Sequence, residues 1–68
     1  MRLSARNKIP GTITSIERGQ AIANVVLDVG DQRLVASITT EAVKDLGLSE
    51  GDTVVAVIKA SDVMIATT

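Results

Sequence analysis

Two short stretches near opposite ends of the chain carry the residue types that could do chemistry. They are Ser4-Ala5-Arg6-Asn7 and Lys59-Ala60-Ser61. In an extended segment, residues two apart point the same way, so Ser4 and Arg6 share one face and Lys59 and Ser61 share another. Each segment then offers one cation and one hydroxyl at the same spacing. Brought together, within a subunit or between subunits, the two would surround a point with two positive charges, two hydroxyls and free backbone N–H groups. Such a set suits a small, doubly charged anion.

The elements that must position these residues are set by a short, unusual composition. Sixty-eight residues make one domain, 1–68. A chain of this size buries only about 60% of the surface it exposes when unfolded, and its core supplies on the order of 3–5 kcal/mol. With no Cys and no His, neither a disulfide nor a thiolate or imidazole metal site can add to that. Association between copies is the remaining remedy. The 46% apolar content without any Phe, Tyr or Trp points the same way: small aliphatic side chains spread over both faces of the strands leave too much apolar surface on a lone subunit.

Net charge is −1, so no overall basic field draws a nucleic acid or an anionic membrane, although Arg2, Arg6, Lys8 and Lys59 cluster in or near the two stretches. No apolar run approaches a membrane span and the start is no signal peptide, which makes the cytoplasm the expected compartment.

Strands are expected over Thr12–Ile16, Ala21–Val29, Arg33–Ile38 and Thr53–Ile58, with a fifth from Asp62 or Val63 to Ala66. Pro10, lacking an N–H, belongs at a strand start, an edge or a bulge. Glu17 to Gln20 reads as a hairpin in which Gly19 takes positive φ, and Gly30 to Gln32 as the next turn. The longest strand alternates incompletely, and both of its faces read as at least half buried. Between the third and fourth strands, Thr39 or Thr40 caps a helix over Thr40–Leu46. Glu41 suits its positive end, Ala42, Val43 and Leu46 form its apolar stripe, and Gly47 is a left-handed stop against which Leu48 packs. The fold class is therefore all-β: a small five-stranded, OB-fold-like Greek-key barrel with one short helix between strands 3 and 4.

Five motifs in order carry a family resemblance: Ser4-Ala5-Arg6-Asn7-Lys8 with Gly11-Thr12-Ile13, then Ile38-Thr39-Thr40-Glu41, Leu46-Gly47-Leu48-Ser49-Glu50-Gly51 and Val57-Ile58-Lys59-Ala60-Ser61-Asp62-Val63. Over essentially its whole length the chain resembles the molbindin family, also described as the Mop or transport-associated OB domain. The resemblance implies a cytoplasmic protein that binds molybdate, and often tungstate, as the intact oxyanion. It also implies a homohexamer, a trimer of dimers, with anion sites between subunits and further sites near the threefold axes. Carried over by position, Ser4, Arg6, Lys59, Ala60 and Ser61 are one subunit's share of the site, Ala60 through its backbone alone. Thr39 is the neighbouring subunit's share. Some relatives have Pro where this chain has Ser61, so the fold does not require that hydroxyl.

Molybdate at neutral pH is a tetrahedral dianion with four acceptor oxygens and no proton, so its site needs donors only. Arg6 brings a planar fork of N–H groups, Lys59 a compact ammonium, and Ser4, Thr39 and Ser61 rotatable hydroxyls. A unit charge pair at about 4 Å is worth about 4 kcal/mol at an effective dielectric of about 20. Desolvation takes back much of this, so the neutral donors must already be in place. Monoprotonated phosphate needs an acceptor, and extended geometry would turn Asp62, the one nearby carboxylate, away from Lys59 and Ser61. Rejection of phosphate is expected on that ground.

Each residue also has a plainer role. Arg6 and Lys59 taken singly suit solvated surface charges or interface ion pairs, Ser4 and Ser61 suit turns or caps, and Thr39 suits the helix cap. Asn7 and Asn24 suit backbone or interface hydrogen bonds, and Met64 the core or an interface. It is the co-occurrence of these residues in the family's order that favours the site. The competing reading is a structural or regulatory assembly module without an oxyanion ligand. A nucleic-acid-binding domain is disfavoured by the lack of aromatic stacking platforms. Catalysis is disfavoured too, since no His, Cys, Gly-rich phosphate loop or paired-carboxylate motif is present. No covalent cofactor and no bare metal cation is implied.

Overall fold

The computed structural model describes Ser4 and residues 6–68; Arg2 and Ala5, which belong to the first stretch or its surroundings, lie outside the described residues. The elements run β1 (Asn7–Arg18), β2 (Ile22–Val29), β3 (Gln32–Thr39), α1 (Thr40–Leu46), β4 (Thr53–Ile58) and a 3₁₀ turn (Ala60–Asp62). The four strands form one antiparallel sheet in the order β3-β2-β1-β4.

β1 is longer than its β-branched centre suggests because it serves two partners in turn. Its first half pairs with β4, from Asn7 opposite Ile58 to Thr12 opposite Thr53. Its second half pairs with β2, from Thr12 opposite Asp28 to Arg18 opposite Ala23. Pro10 sits opposite Val55, in the half where β2 has not yet joined. There β1 has a ladder on one side alone, so a missing N–H is tolerated. At the handover the backbones close in: a Cβ on Gly11 would lie 3.0 Å from the Asp28 carbonyl oxygen and 3.1 Å from Val29 Cγ2. Immediately beyond, the register shifts between Ile13 and Ser15, leaving Thr14 as a bulge residue whose hydroxyl donates to the Val26 carbonyl at 3.2 Å. Bulges bend a strand and increase its twist. The shift also lets Ile13 and Ile16, three apart, face the same side.

That side is the core. Ile13, Ala23, Val25, Leu27 and Val43 are buried, with Ile16, Val29, Leu34, Ile38, Leu48, Val54 and Ala56 packed around them. Helix α1 covers one end of this face and inserts Val43, which is 1% exposed. Its ends follow the sequence: Thr39 Oγ1 accepts from the Ala42 N–H, and Gly47 at φ 64° is left-handed. The Gly47 N–H donates to the Lys44 carbonyl and the Leu48 N–H to the Val43 carbonyl, both at 3.1 Å, the paired bonds of a Schellman stop. The start of the helix is tied to the β1–β2 hairpin, where the Thr40 N–H donates to the Ala21 carbonyl and Thr40 Oγ1 to the Gly19 carbonyl, each at 2.9 Å.

Several expectations need correction. The predominantly β architecture with a helix after the third strand is present, but among the described residues the sheet is open rather than a closed barrel, and it has four strands. Residues 62–66 are not a strand: the 3₁₀ turn leads the chain off β4, and among the described residues no neighbouring backbone pairs with them. Val63, Met64 and Ile65 are 48%, 92% and 88% exposed. β propensity supplies a segment willing to be a strand; a ladder needs a partner. Gly19 is not at positive φ, which is found at Gly30, Gly47 and Gly51. Its smallness matters instead for a close approach, since a Cβ there would meet the Ile22 carbonyl oxygen at 2.8 Å. Finally, the outward face of β2 is not half buried throughout: Ile22, Asn24 and Asp28 are exposed and Val26 alone is partly covered.

Val43 is the helix's anchor, and Val43→Ala removes about two methylene equivalents and leaves a void. We expect a loss of about 2 kcal/mol, seen as a lower urea midpoint with an unchanged denaturant slope.

Candidate functional site

Two strand ends carry the cationic part of the candidate site. The β1–β4 ladder ends with Asn7 opposite Ile58. There the Asn7 side-chain amide donates to the Ile58 carbonyl at 3.2 Å, the backbone hydrogen-bonding role expected of it. One further step of the same register sets Arg6 opposite Lys59, and directly opposed residues of an antiparallel pair point to the same face. Lys59 is still extended at φ −62°, ψ 136°. Like charges facing each other repel, so this end of the sheet is poised to gain from an anion between them.

Beyond Lys59 the extended geometry stops. Ala60–Asp62 is a 3₁₀ turn in which the Asp62 N–H donates to the Lys59 carbonyl at 2.9 Å and the Val63 N–H to the Ala60 carbonyl at 3.3 Å. Lys59 and Ser61 therefore do not share a face by strand alternation. Nor is Asp62 directed away by extended geometry, since the turn holds its backbone against Lys59. What the turn adds is backbone donors: its own bonds use the N–H groups of Asp62 and Val63, not those of Ala60 and Ser61. A residue at position 60 that offers backbone alone is consistent with this.

Thr39 is elsewhere. It pairs with Ile22 at the end of β3, beside the Arg18 end of β1, whereas Arg6 adjoins the Asn7 end. Those ends are separated by roughly 36 Å of strand contour at 3.3 Å per residue, and β3 and β4 are the two opposite edges of the sheet. One chain thus brings Arg6, Lys59, Ala60 and Ser61 into one neighbourhood and leaves Thr39 out. Ser4 lies just before Arg6 in a bend. The Thr39 oxygen accepts the Ala42 N–H at 3.0 Å, and a hydroxyl so engaged keeps its proton free to donate outward. Capping and ligand donation are compatible uses of one side chain.

All six candidate residues are exposed, and among the described residues no polar or charged side chain is buried. Ions at such a surface are screened by water and salt. Lys8 falls on the same outward side, two residues on from Arg6, and the period of two that linked Ser4 to Arg6 was the available signal for it. Among the described residues no group of three or more His, Cys, Asp or Glu could hold a metal ion, and no helix is long and apolar enough to cross a membrane.

Residues 3–65 match the TOBE domain family model. The chain belongs to that family. It is 39% identical over 66 residues to molybdenum-pterin-binding protein 3 of Clostridium pasteurianum, covering 96% of this chain and 97% of that one. In solved structures it is similar to a molybdate-binding protein from Sporomusa ovata, with a TM-score of 0.95, 39% identity and coverage of 98% and 100%. It is also similar to the cytoplasmic molybdate-binding protein ModG with molybdate bound, with a TM-score of 0.88, 45% identity and coverage of 94% of this chain and 46% of that one. This TOBE domain chain therefore stands with the molbindin-type proteins, whose names describe binding rather than a reaction, and not with enzymes.

The cap gives a separable prediction. Thr39→Ala should cost about 1 kcal/mol, whereas Thr39→Asp, whose carboxylate caps as well as a hydroxyl, should stay within about 0.5 kcal/mol of the parent. Chemical denaturation without added anion reads both.

Proposed function

We propose that this chain acts as a single domain that binds molybdate, and tungstate with it, as the intact oxyanion in pockets formed between copies of itself. The assembly is a homohexamer, a trimer of dimers, and its role is storage and homeostasis of molybdenum in the cytoplasm. Arg6, Lys59, the Ala60 backbone and the hydroxyls of Ser4 and Ser61 come from one subunit, and the Thr39 hydroxyl comes from the next.

The observation that carries this reading is the β1–β4 register, which ends with Asn7 opposite Ile58, the residues next to Arg6 and Lys59, while Thr39 lies opposite Ile22 at the other end of the sheet. A pocket needing all three requires a second copy. The exposed apolar surface supports such packing: Ile22, Val35, Val55 and Val57 on the outward face and Leu46 on the helix are about half exposed or more, as are Val63, Met64 and Ile65 beyond the 3₁₀ turn. Burying them removes the main cost of a lone subunit, and the same packing excludes the water that screens the two cations. The relatives support the ligand, since one is a molybdate-binding protein and another carries molybdate in its structure.

Native mass spectrometry with added molybdate should report six subunits and bound anions together, and molybdate should raise the thermal midpoint by mass action. A monomeric species, or a folded oligomer that gives no calorimetric heat with molybdate or tungstate, would falsify this reading. Arg6→Ala should abolish uptake and leave the oligomer intact; loss of the oligomer alone would favour an assembly module without an oxyanion ligand. Thr39→Asp, capped but negatively charged toward the anion, should bind none, while Thr39→Ser should bind nearly as the parent does.

A further inference from the structure

The geometry points to Lys8 as a third cation of the anion site, one that acts at longer range than Arg6 and Lys59 and sets how strongly binding depends on salt. This rests on the oxyanion reading above and adds a residue to it. In β1 the exposed positions Lys8 and Pro10 alternate with Asn7, Ile9 and Gly11, which are half buried or buried. In β4 the exposed positions Val55 and Val57 alternate with the half-buried Val54, Ala56 and Ile58. Lys8 lies opposite Val57 and Asn7 opposite Ile58, and the same register continued by one step sets Arg6 opposite Lys59. The three cations thus occupy the outward side at one end of the β1–β4 pair. Lys8 is two residues along the strand from Arg6 and diagonal to Lys59, a separation of about 7–8 Å between backbone positions.

A lysine stem is flexible enough to bring its ammonium toward a ligand held between the other two. The neighbour opposite it, Val57, offers no counter-charge. The carboxylate close by in the chain is Asp62, held near Lys59 by its backbone N–H at 2.9 Å, so three cations stand against one acid. A dianion entering this end meets a positive field before it reaches Arg6 and Lys59, as oriented surface charge does for charged ligands in general.

The size of the effect follows from Coulomb's law in water. A dianion about 8 Å from an ammonium gains an energy that corresponds to about four-fold in affinity at 10 mM ionic strength and about two-fold at 150 mM, where the screening length has fallen to about 8 Å. The test is calorimetric titration of sodium molybdate into the intact oligomer at both ionic strengths, for the parent and for Lys8→Gln, Lys8→Arg and Lys8→Glu. Native mass spectrometry confirms that subunit number is unchanged.

We expect Lys8→Gln to bind about four-fold more weakly at low salt and about two-fold more weakly at high salt, with the number of bound anions unchanged. Lys8→Arg should restore parental affinity, and Lys8→Glu should be weaker by about sixteen-fold at low salt. Equal affinity of parent and Lys8→Gln at 10 mM overturns the inference. So does a loss that ignores salt and is not rescued by Arg, the mark of a structural role. If Lys8→Gln failed to assemble, the Arg and Glu variants would decide on the same charge scale. A parent that takes up no molybdate at either salt concentration overturns the oxyanion reading itself, a result distinct from a parent that binds and a Lys8 variant that binds equally.

Discussion

The pairing of β1 with β4 is the constraint on which the rest depends. It ends at Asn7 and Ile58, where a side-chain amide takes the carbonyl that precedes Lys59. Because side chains alternate along a strand, a slip of one residue would turn Arg6 and Lys8 inward and push Asn7 and Ile9 out. The half-buried Ile9, Val54, Ala56 and Ile58 resist that slip, and Gly11 is needed where β1 passes close to β2. Apolar packing in one half of the sheet thereby fixes the position of charge at its end. The electrostatics of the site follow from the core.

A second constraint is what one chain leaves undone. Among the described residues, five buried apolar side chains make a small core, and the open sheet leaves much aliphatic surface in water. The same association that lessens this cost would bring the Thr39 end of one copy toward the Arg6 end of another. Stability and function then make the same demand on the molecule, and a ligand with two negative charges would offset the repulsion that assembly concentrates.

Much of this was legible in the residues. Helix α1 was, because its signals are local: a Thr cap, an acidic first turn, an apolar stripe and a glycine stop act within eight or nine residues. The hairpins were legible for the same reason. The length of β1 was not, since its first half is held by β4, some forty residues away, and Lys8-Ile9-Pro10-Gly11 has little strand propensity of its own. The 3₁₀ turn at Ala60–Asp62 was missed because Lys-Ala-Ser reads equally well as extended chain. The absent fifth strand shows the limit of propensity: Val63 to Ala66 is apolar enough to pair, but pairing is a property of two segments. The spacing of Ile13 and Ile16 did carry a readable sign of the bulge, because two inward residues three apart cannot both fit an unbroken alternation.

That irregularity at Thr14 bears on how this chain can change length. Ile13 faces Leu27 and Ser15 faces Val26, consecutive partners on β2, so the ladder on both sides is already in frame without the residue between them. Loss of Thr14 would straighten β1 and keep every inward side chain inward. Loss of Ser15 would do the same, with Thr14 taking its place opposite Val26, whereas loss of a residue farther from the bulge would invert the segment between it and the bulge. The strand that ties the whole sheet together thus tolerates a one-residue deletion at one place, and what such a deletion gives up is curvature rather than polarity.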